Sequence, residues 1–198
     1  PTIIEKYGEK IVSKTLVVDE LKFPDTWTLC IPGQHNRYDA SLALTVARAL
    51  EISDDISRTA LESFKGVSGR LELIREKDGV RIYNDTTATT PEAALAALSA
   101  LDPAQTILIM GGADKGLDMN ALLLKLKEVR RTILLSGTGT SRVLEFIPGA
   151  SVFDDLGKAV TEAFASAGEG DTILFSPAFA SFGMFKNEYD RGDQFTDI

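Results

Sequence analysis

The chain has 198 residues, 44% of them hydrophobic and 25% charged, with a formal net charge of −8. That balance fits a globular chain with a sizeable core, and its acidity argues against nucleic acid or an anionic membrane as the main partner, because counterion release needs a basic face. A single cysteine, Cys30, excludes an internal disulfide and suits a reducing compartment, and a single histidine, His35, leaves no zinc-type cluster. No apolar run is long enough to cross a bilayer as a helix. The chain starts at Pro1 without a leader-like segment, which reads as a piece of a longer protein.

Residues 3–31 read as short strands, with Ile3-Ile4, Lys10-Ile11-Val12 and Leu16-Val17-Val18 carrying the β pattern but no core of their own. Gly33 breaks the last strand. Asn36 is the expected cap of a helix to about Leu50, with Leu42, Val46 and Leu50 at helical spacing. A second helix is expected over residues 53–64, with Ile56, Ala60, Leu61 and Phe64 on one face. Residues 65–69 (KGVSG) have two glycines and no periodicity, and are the expected domain boundary.

A new unit starts at Arg70. Leu71 and Leu73 alternate with polar residues, Asp78-Gly79 signals a hairpin, and Val80 and Ile82 continue on the return strand. That strand ends at Asn84-Asp85. Thr86, Thr87, Thr89 and Thr90 follow, and Pro91-Glu92 open an alanine-rich helix. Thr90 is the expected N-cap, and Pro and Glu suit a first turn. The first amides of such a helix have no intrahelical partner and can hold an anion. The same pattern equally suits a capped loop in which Asp85 and the threonines only satisfy the backbone. Beyond it, strands at residues 106–110, 131–135, 151–153 and 172–175 alternate with helices at 117–129, 141–146, 156–167 and from about 182 onward. Apolar strands between helices predict a parallel sheet covered on both faces, with ligands at the carboxyl ends of its strands.

Three loops follow buried strands: Asn84-Asp85-Thr86, GGADKG at residues 111–116, and SPAFAS at residues 176–181. Glycines let backbone approach a ligand, and Lys115 is either a mobile charge for a carboxylate or phosphate or an ordinary solvated lysine. Ser181, near an expected helix start, is either an anion donor or a plain N-cap. Walker A, G-x-G-x-x-G and G-x-S-x-G patterns are absent. Neither a complete nucleotide-phosphate cradle nor a Ser-His-acid triad is expected.

GQHNRYDASLALTVA, SGRLEL, YNDTTATTPEAALAAL, LIMGGADKGLDM and LFSPAFASFGMFKNEYDRGDQF, in that order from about residue 31, together resemble the Mur ligase family. The last two motifs resemble its D-glutamate-adding branch, and the D-N-P-R motif of the diaminopimelate-adding branch is absent. The resemblance implies an α/β architecture in two parts. Residues 1–67 would be the end of a central ATP-binding domain, a β-strand plus two helices. Residues 68–198 would be a Rossmann-like, amino-acid-binding C-terminal domain with a mostly parallel sheet and flanking helices. The implied activity is an ATP-dependent amide ligase of peptidoglycan-precursor synthesis, cytoplasmic and monomeric. It would join D-glutamate to UDP-N-acetylmuramoyl-L-alanine through an acyl phosphate. ATP and Mg²⁺ would be bound mostly by the rest of the central domain, and this chain would be inactive alone. The alternatives are another Mur-type or folylpolyglutamate-synthase-like ligase, and a stand-alone nucleotide- or amino-acid-binding module.

Carried over position by position, the resemblance implies nucleotide contacts at His35, Asn36, Asp39, Arg70 and Asp85, with Asn36 on the adenine and Asp85 on the ribose. Arg70, Asp85 and Lys115 form the implied catalytic set. Thr87, Thr89 and Lys115 fall on the D-glutamate side, with Lys115 on one carboxylate. Ser181 and Phe182 belong to the segment for the other carboxylate, and Lys186, Asn187 and Arg191 support substrate binding in the same signature. No metal ligand is implied in this chain. The family pattern has a second asparagine at Asp39, often a histidine at Gly69, and in some relatives a lysine at Thr87.

Overall fold

The computed structural model describes residues 23–198, so the strands expected around residues 3, 11 and 17 lie outside the described residues. Two helices come first, α1 (Gln34–Ala49) and α2 (Asp54–Ser63). Ser53 caps α2 by accepting from Ile56 N, and Asp54 and Asp55 sit in its first turn, where they complement the helix dipole. Asn36 is not the cap of α1. The helix starts earlier, after Gly33, and the Asn36 side chain instead donates to Pro32 O at 2.6 Å. The expected apolar face of α1 is also corrected. Leu42, Val46 and Leu50 are exposed, and the buried side is Ala40, Ser41 and Leu44, where Ala40 and Leu44 pack with Phe23 and Trp27. Of the face expected on α2, only Leu61 joins that cluster, while Ile56 and Phe64 stay exposed.

Strands β1 (Glu72–Lys77) and β2 (Val80–Asn84) pair antiparallel across Asp78-Gly79. Both turn residues have positive φ, 53° and 74°, as a two-residue hairpin turn matching the strand twist requires. The expected alternation of Leu71 and Leu73 does not hold. Leu71 is buried at φ 45° just before β1, whereas Leu73 is exposed, and the register slips between Leu73 and Arg75.

The remaining elements alternate: α3 (Pro91–Ala100), β3 (Thr106–Gly111), α4 (Asn120–Leu126), β4 (Arg131–Leu135), α5 (Thr140–Leu144), β5 (Ser151–Phe153), α6 (Leu156–Ser166), β6 (Thr172–Phe175) and α7 (Glu188–Asp197). Thr90 caps α3 through Ala93 N, with Pro91 and Glu92 in the first turn as expected. Helix α4 is shorter than its apolar pattern, and α7 starts at Glu188 and not near Phe182. The six strands form one sheet in the order β1-β2-β6-β3-β4-β5, parallel except for the β1–β2 hairpin.

Every residue of β3 is buried. Leu108 and Met110 face a core layer with Leu98, Leu122 and Phe179, whereas Ile107 and Ile109 face the other layer with Ala159, Phe175 and Phe195. A strand has a side-chain period of two, so continuous burial means that both faces are covered by helices. Among the described residues, no helix is long and apolar enough to cross a membrane.

Candidate functional site

Strand order decides where the loops meet. Strand β6 lies between β2 and β3, so the residues after β2, β6 and β3 leave the sheet side by side at one rim. Backbone bonds lock their bases: Asp85 N to Phe175 O at 2.8 Å, Ser176 N to Ile109 O at 3.2 Å, and Gly111 N to Pro177 O at 2.9 Å. Further out, Ala113 and Ala180 exchange both backbone bonds, at 2.9 and 3.1 Å. Gly112 permits this approach. Its φ is 139°, and a Cβ there would lie 2.3 Å from Ala180 O, so only glycine fits.

On the β2 side Asp85 is 7% exposed. Its Oδ1 accepts from Leu71 N at 2.9 Å and its Oδ2 from the Ser176 hydroxyl at 2.7 Å. Burial pushes the carboxyl up to about 6, against the Ser176 and Leu71 hydrogen bonds and the Arg70 charge, which pull it down. A carboxylate offers about four acceptor sites, so each oxygen keeps capacity for a ligand hydroxyl. Asp85 lines a cleft of about 190 Å³ together with His35, Asn36, Asp39, Arg70 and Thr87. Asn36, Asp39 and Arg70 also line an adjoining chamber of about 280 Å³ walled by Leu29, Ile31, Ala43, Leu61 and Phe64. The five residues assigned to a nucleotide from the sequence therefore border one groove, strongly apolar at one end and mixed at the other, where Leu71, Ala88, Ala93 and Ala96 stand among the polar groups. Thr87 gives its N–H and its hydroxyl to Gly69 O, at 3.1 and 2.8 Å, which straps the segment carrying Arg70 to the loop carrying Asp85.

On the β3 side the exposed Lys115 donates from Nζ to Thr89 Oγ1 at 2.9 Å, joining the β2 and β3 loops through side chains. A neutral hydroxyl does not cancel the ammonium charge, which stays available to an anion. The loop is braced from α5. Arg142 donates to Asp114 Oδ1 at 2.7 Å and to Leu117 O at 2.8 Å, and Asp114 N donates to Thr138 Oγ1 at 2.9 Å. The Gly116 N–H, and after it the Arg142 guanidinium, hold the Asp114 carboxyl below its usual range. Arg142, Thr138 and Ser176 were not among the residues expected from the sequence. Their one available signal is position, since each follows the carboxyl end of a strand of the same sheet.

On the β6 side Ser181 is 4% exposed and its carbonyl accepts from Phe185 N at 3.2 Å, whereas Phe182 is 70% exposed. Ser181 is therefore part of a turn and not the cap of α7. That cap is Asn187, whose Oδ1 accepts from Asp190 N at 2.9 Å. Lys186 is exposed and its backbone N–H bonds Asp190 Oδ2 at 3.0 Å. Arg191, expected near the substrate, has no exposed surface and works from inside. It donates to Thr86 O at 2.7 Å, and to Thr86 Oγ1 and Phe179 O at 3.2 Å each. Among the described residues, no three His, Cys, Asp or Glu side chains converge to hold a metal.

A family model for the Mur ligase glutamate ligase domain matches residues 69–179. The UDP-N-acetylmuramoylalanine–D-glutamate ligase of Roseiflexus sp. (strain RS-1) is 44% identical over 174 residues, covering 84% of this chain and 37% of that protein. The chain belongs to the Mur ligase family. A second Mur ligase, the equally named enzyme of Solibacter usitatus, is 41% identical over 194 residues, 96% of this chain and 44% of that protein. The UDP-N-acetylmuramate–alanine ligase of Thermotoga maritima, only 17% identical, shares the fold with a TM-score of 0.64, over 86% of this chain and 39% of that one. The chain thus spans less than half the length of each of these Mur ligases.

Proposed function

We propose that this chain is the acceptor-binding part of an ATP-dependent ligase that joins the amine of D-glutamate to the terminal carboxylate of UDP-N-acetylmuramoyl-L-alanine in peptidoglycan-precursor synthesis. One observation carries the reading: an exposed ammonium, Lys115, reaches Thr89 of the β2 loop from a loop whose Ala113 pairs with Ala180 of the β6 loop. D-glutamate has two carboxylates. Lys115 with Thr89 suits one, and the amides and hydroxyl around Ser181 and Phe182 suit the other. The names of the relatives favour D-glutamate over other acceptors.

In this reading the apolar chamber takes the adenine and the polar cleft takes the ribose and phosphates. Asp85 accepts from ribose hydroxyls, and Arg70 faces the phosphates. Asn36 and Asp39 border the base, with His35 beside them. An ionised Asp39 only accepts, where asparagine could also donate, so it suits the adenine amino group. The donor carboxylate is activated as an acyl phosphate by phosphoryl transfer from ATP. The amine then captures it, leaving amide, ADP and phosphate. The part of this chain is to position and to neutralise charge. Mg²⁺, which neutralises phosphates in such transfers, would be held mostly by the rest of the central domain. Residues 1–67 would end the ATP-binding domain and 68–198 form the acceptor-binding domain of a monomeric cytoplasmic enzyme.

The test uses the complete ligase. Lys115→Ala should raise the KM for D-glutamate roughly tenfold to hundredfold, the range of a lost charge-assisted contact, and leave the KM for ATP near wild type. Equal rises in both would refute the assignment of Lys115. Absence of D-glutamate-dependent ADP release from the unsubstituted enzyme would refute the reaction.

A further inference from the structure

Arg191 is a fully buried guanidinium whose hydrogen-bond acceptors are all neutral oxygens. Such burial is costly, and here it is aimed at two particular peptide groups. Thr86 O takes one N–H of the fork, and the N–H of that same peptide, Thr87 N, donates to Gly69 O at 3.1 Å. Phe179 O takes another, and the N–H of that peptide, Ala180 N, donates to Ala113 O at 3.1 Å. Gly69 is next to Arg70, and Ala113 lies two residues before Lys115. One rigid fork therefore grips two peptide planes, one strapped to the arginine of the polar cleft and the other to the loop of the rim lysine. Helix α7 is pressed close to supply it, since a Cβ at Gly192 would meet Thr86 Cγ2 at 2.5 Å.

We propose that Arg191 is a positioning residue that sets the separation between the Arg70 side and the Lys115 side of the rim, so that two ligands are held in register. The coupling stands on geometry, while the identity of the ligands rests on the function proposed above. A lysine at this position keeps the charge but presents a point donor on a flexible stem, which cannot hold both planes in a fixed fork.

Amide exchange in this chain tests the coupling without reference to activity. In Arg191→Lys the Thr87 and Ala180 amides should exchange at least about tenfold faster, while Ile133 and Leu134 of the central strand β4 keep their rates. Thr86→Val removes the Oγ1 acceptor and, with it, the hydroxyl's own hydrogen bond to Glu188 O at 2.8 Å. It should accelerate the same two amides to a smaller degree, and it serves if the lysine variant does not fold. In the complete ligase, Arg191→Lys should raise the KM for ATP and for D-glutamate together. Phe195→Leu, which loosens packing of the same helix against Phe175, should move neither. Unchanged exchange at Thr87 and Ala180, equal acceleration through β4, or a KM change for one substrate alone would overturn the proposal. A complete ligase with no D-glutamate-dependent turnover defeats only the ligand reading, and the exchange rates still decide the coupling.

Discussion

Asp85 is held between opposing forces. Burial disfavours its charge, while the Ser176 hydroxyl, the Leu71 N–H and the Arg70 charge favour it, and the carboxyl ends at about 6. The unfolded value lies near 3.9, so the folded state binds this proton more tightly. The associated stability is fully present below about pH 4 and is lost as pH rises through about 6. Asp85→Asn can still accept from Leu71 and donate to Ser176. Relative to wild type it should therefore gain stability on the order of 2–3 kcal/mol between about pH 4 and pH 7, read from urea midpoints. A wild-type-to-variant difference that stays constant across that range would place the titration elsewhere. At this scale the sequence shows the placement of Asp85 and Lys115 after the ends of β2 and β3, because each follows an apolar strand and stands among loop-forming residues. It does not show Ser176 as the partner of Asp85, 91 positions away, or Arg142 as the brace of Asp114, 28 positions away. Those pairings exist only once strand order is known, and strand order is a global property that local pattern does not encode.

Elements follow a similar division. The central strands are legible as short apolar runs, and the hairpin and the start of α3 are legible from Asp78-Gly79 and Thr90-Pro91-Glu92, since turn and cap chemistry are local. The exposed stripe on α1 and the late start of α7 are not, because periodicity gives a face but not what the face meets. The brace on the β3 loop belongs to this scale as well. Arg142→Ala should free that loop while removing a partly exposed ion pair and the hydrogen bond to Leu117 O, at a stability cost of about 1–2 kcal/mol. In the complete ligase the KM for the acidic acceptor should rise and that for ATP should not. A matching rise in both would mean that the brace reaches the polar cleft too.

For the whole molecule, two core layers flank the sheet of the described residues, and the groove beside Arg70 and Asn36 is open. We expect this chain alone to bind D-glutamate weakly, because a site completed by domain closure loses most of its desolvation and positioning without the opposing face. NMR titration with D-glutamate should show small, fast-exchange shifts centred on Lys115 and Ser181. Tight binding, or shifts centred instead on the polar cleft around Asp85, would contradict that expectation.

The two outer strands of the sheet have a consequence for how this molecule fails. The β1 margin is kinked between Leu73 and Arg75 and carries exposed Arg75, Glu76 and Lys77, and the β5 margin is three residues long. Neither offers a long, flat template for another copy to add to. The sticky segments, TILIMG and RTILL, are walled in at the centre. For the sheet of the described residues, light scattering on heating should therefore rise with global melting, and not earlier by growth from a margin.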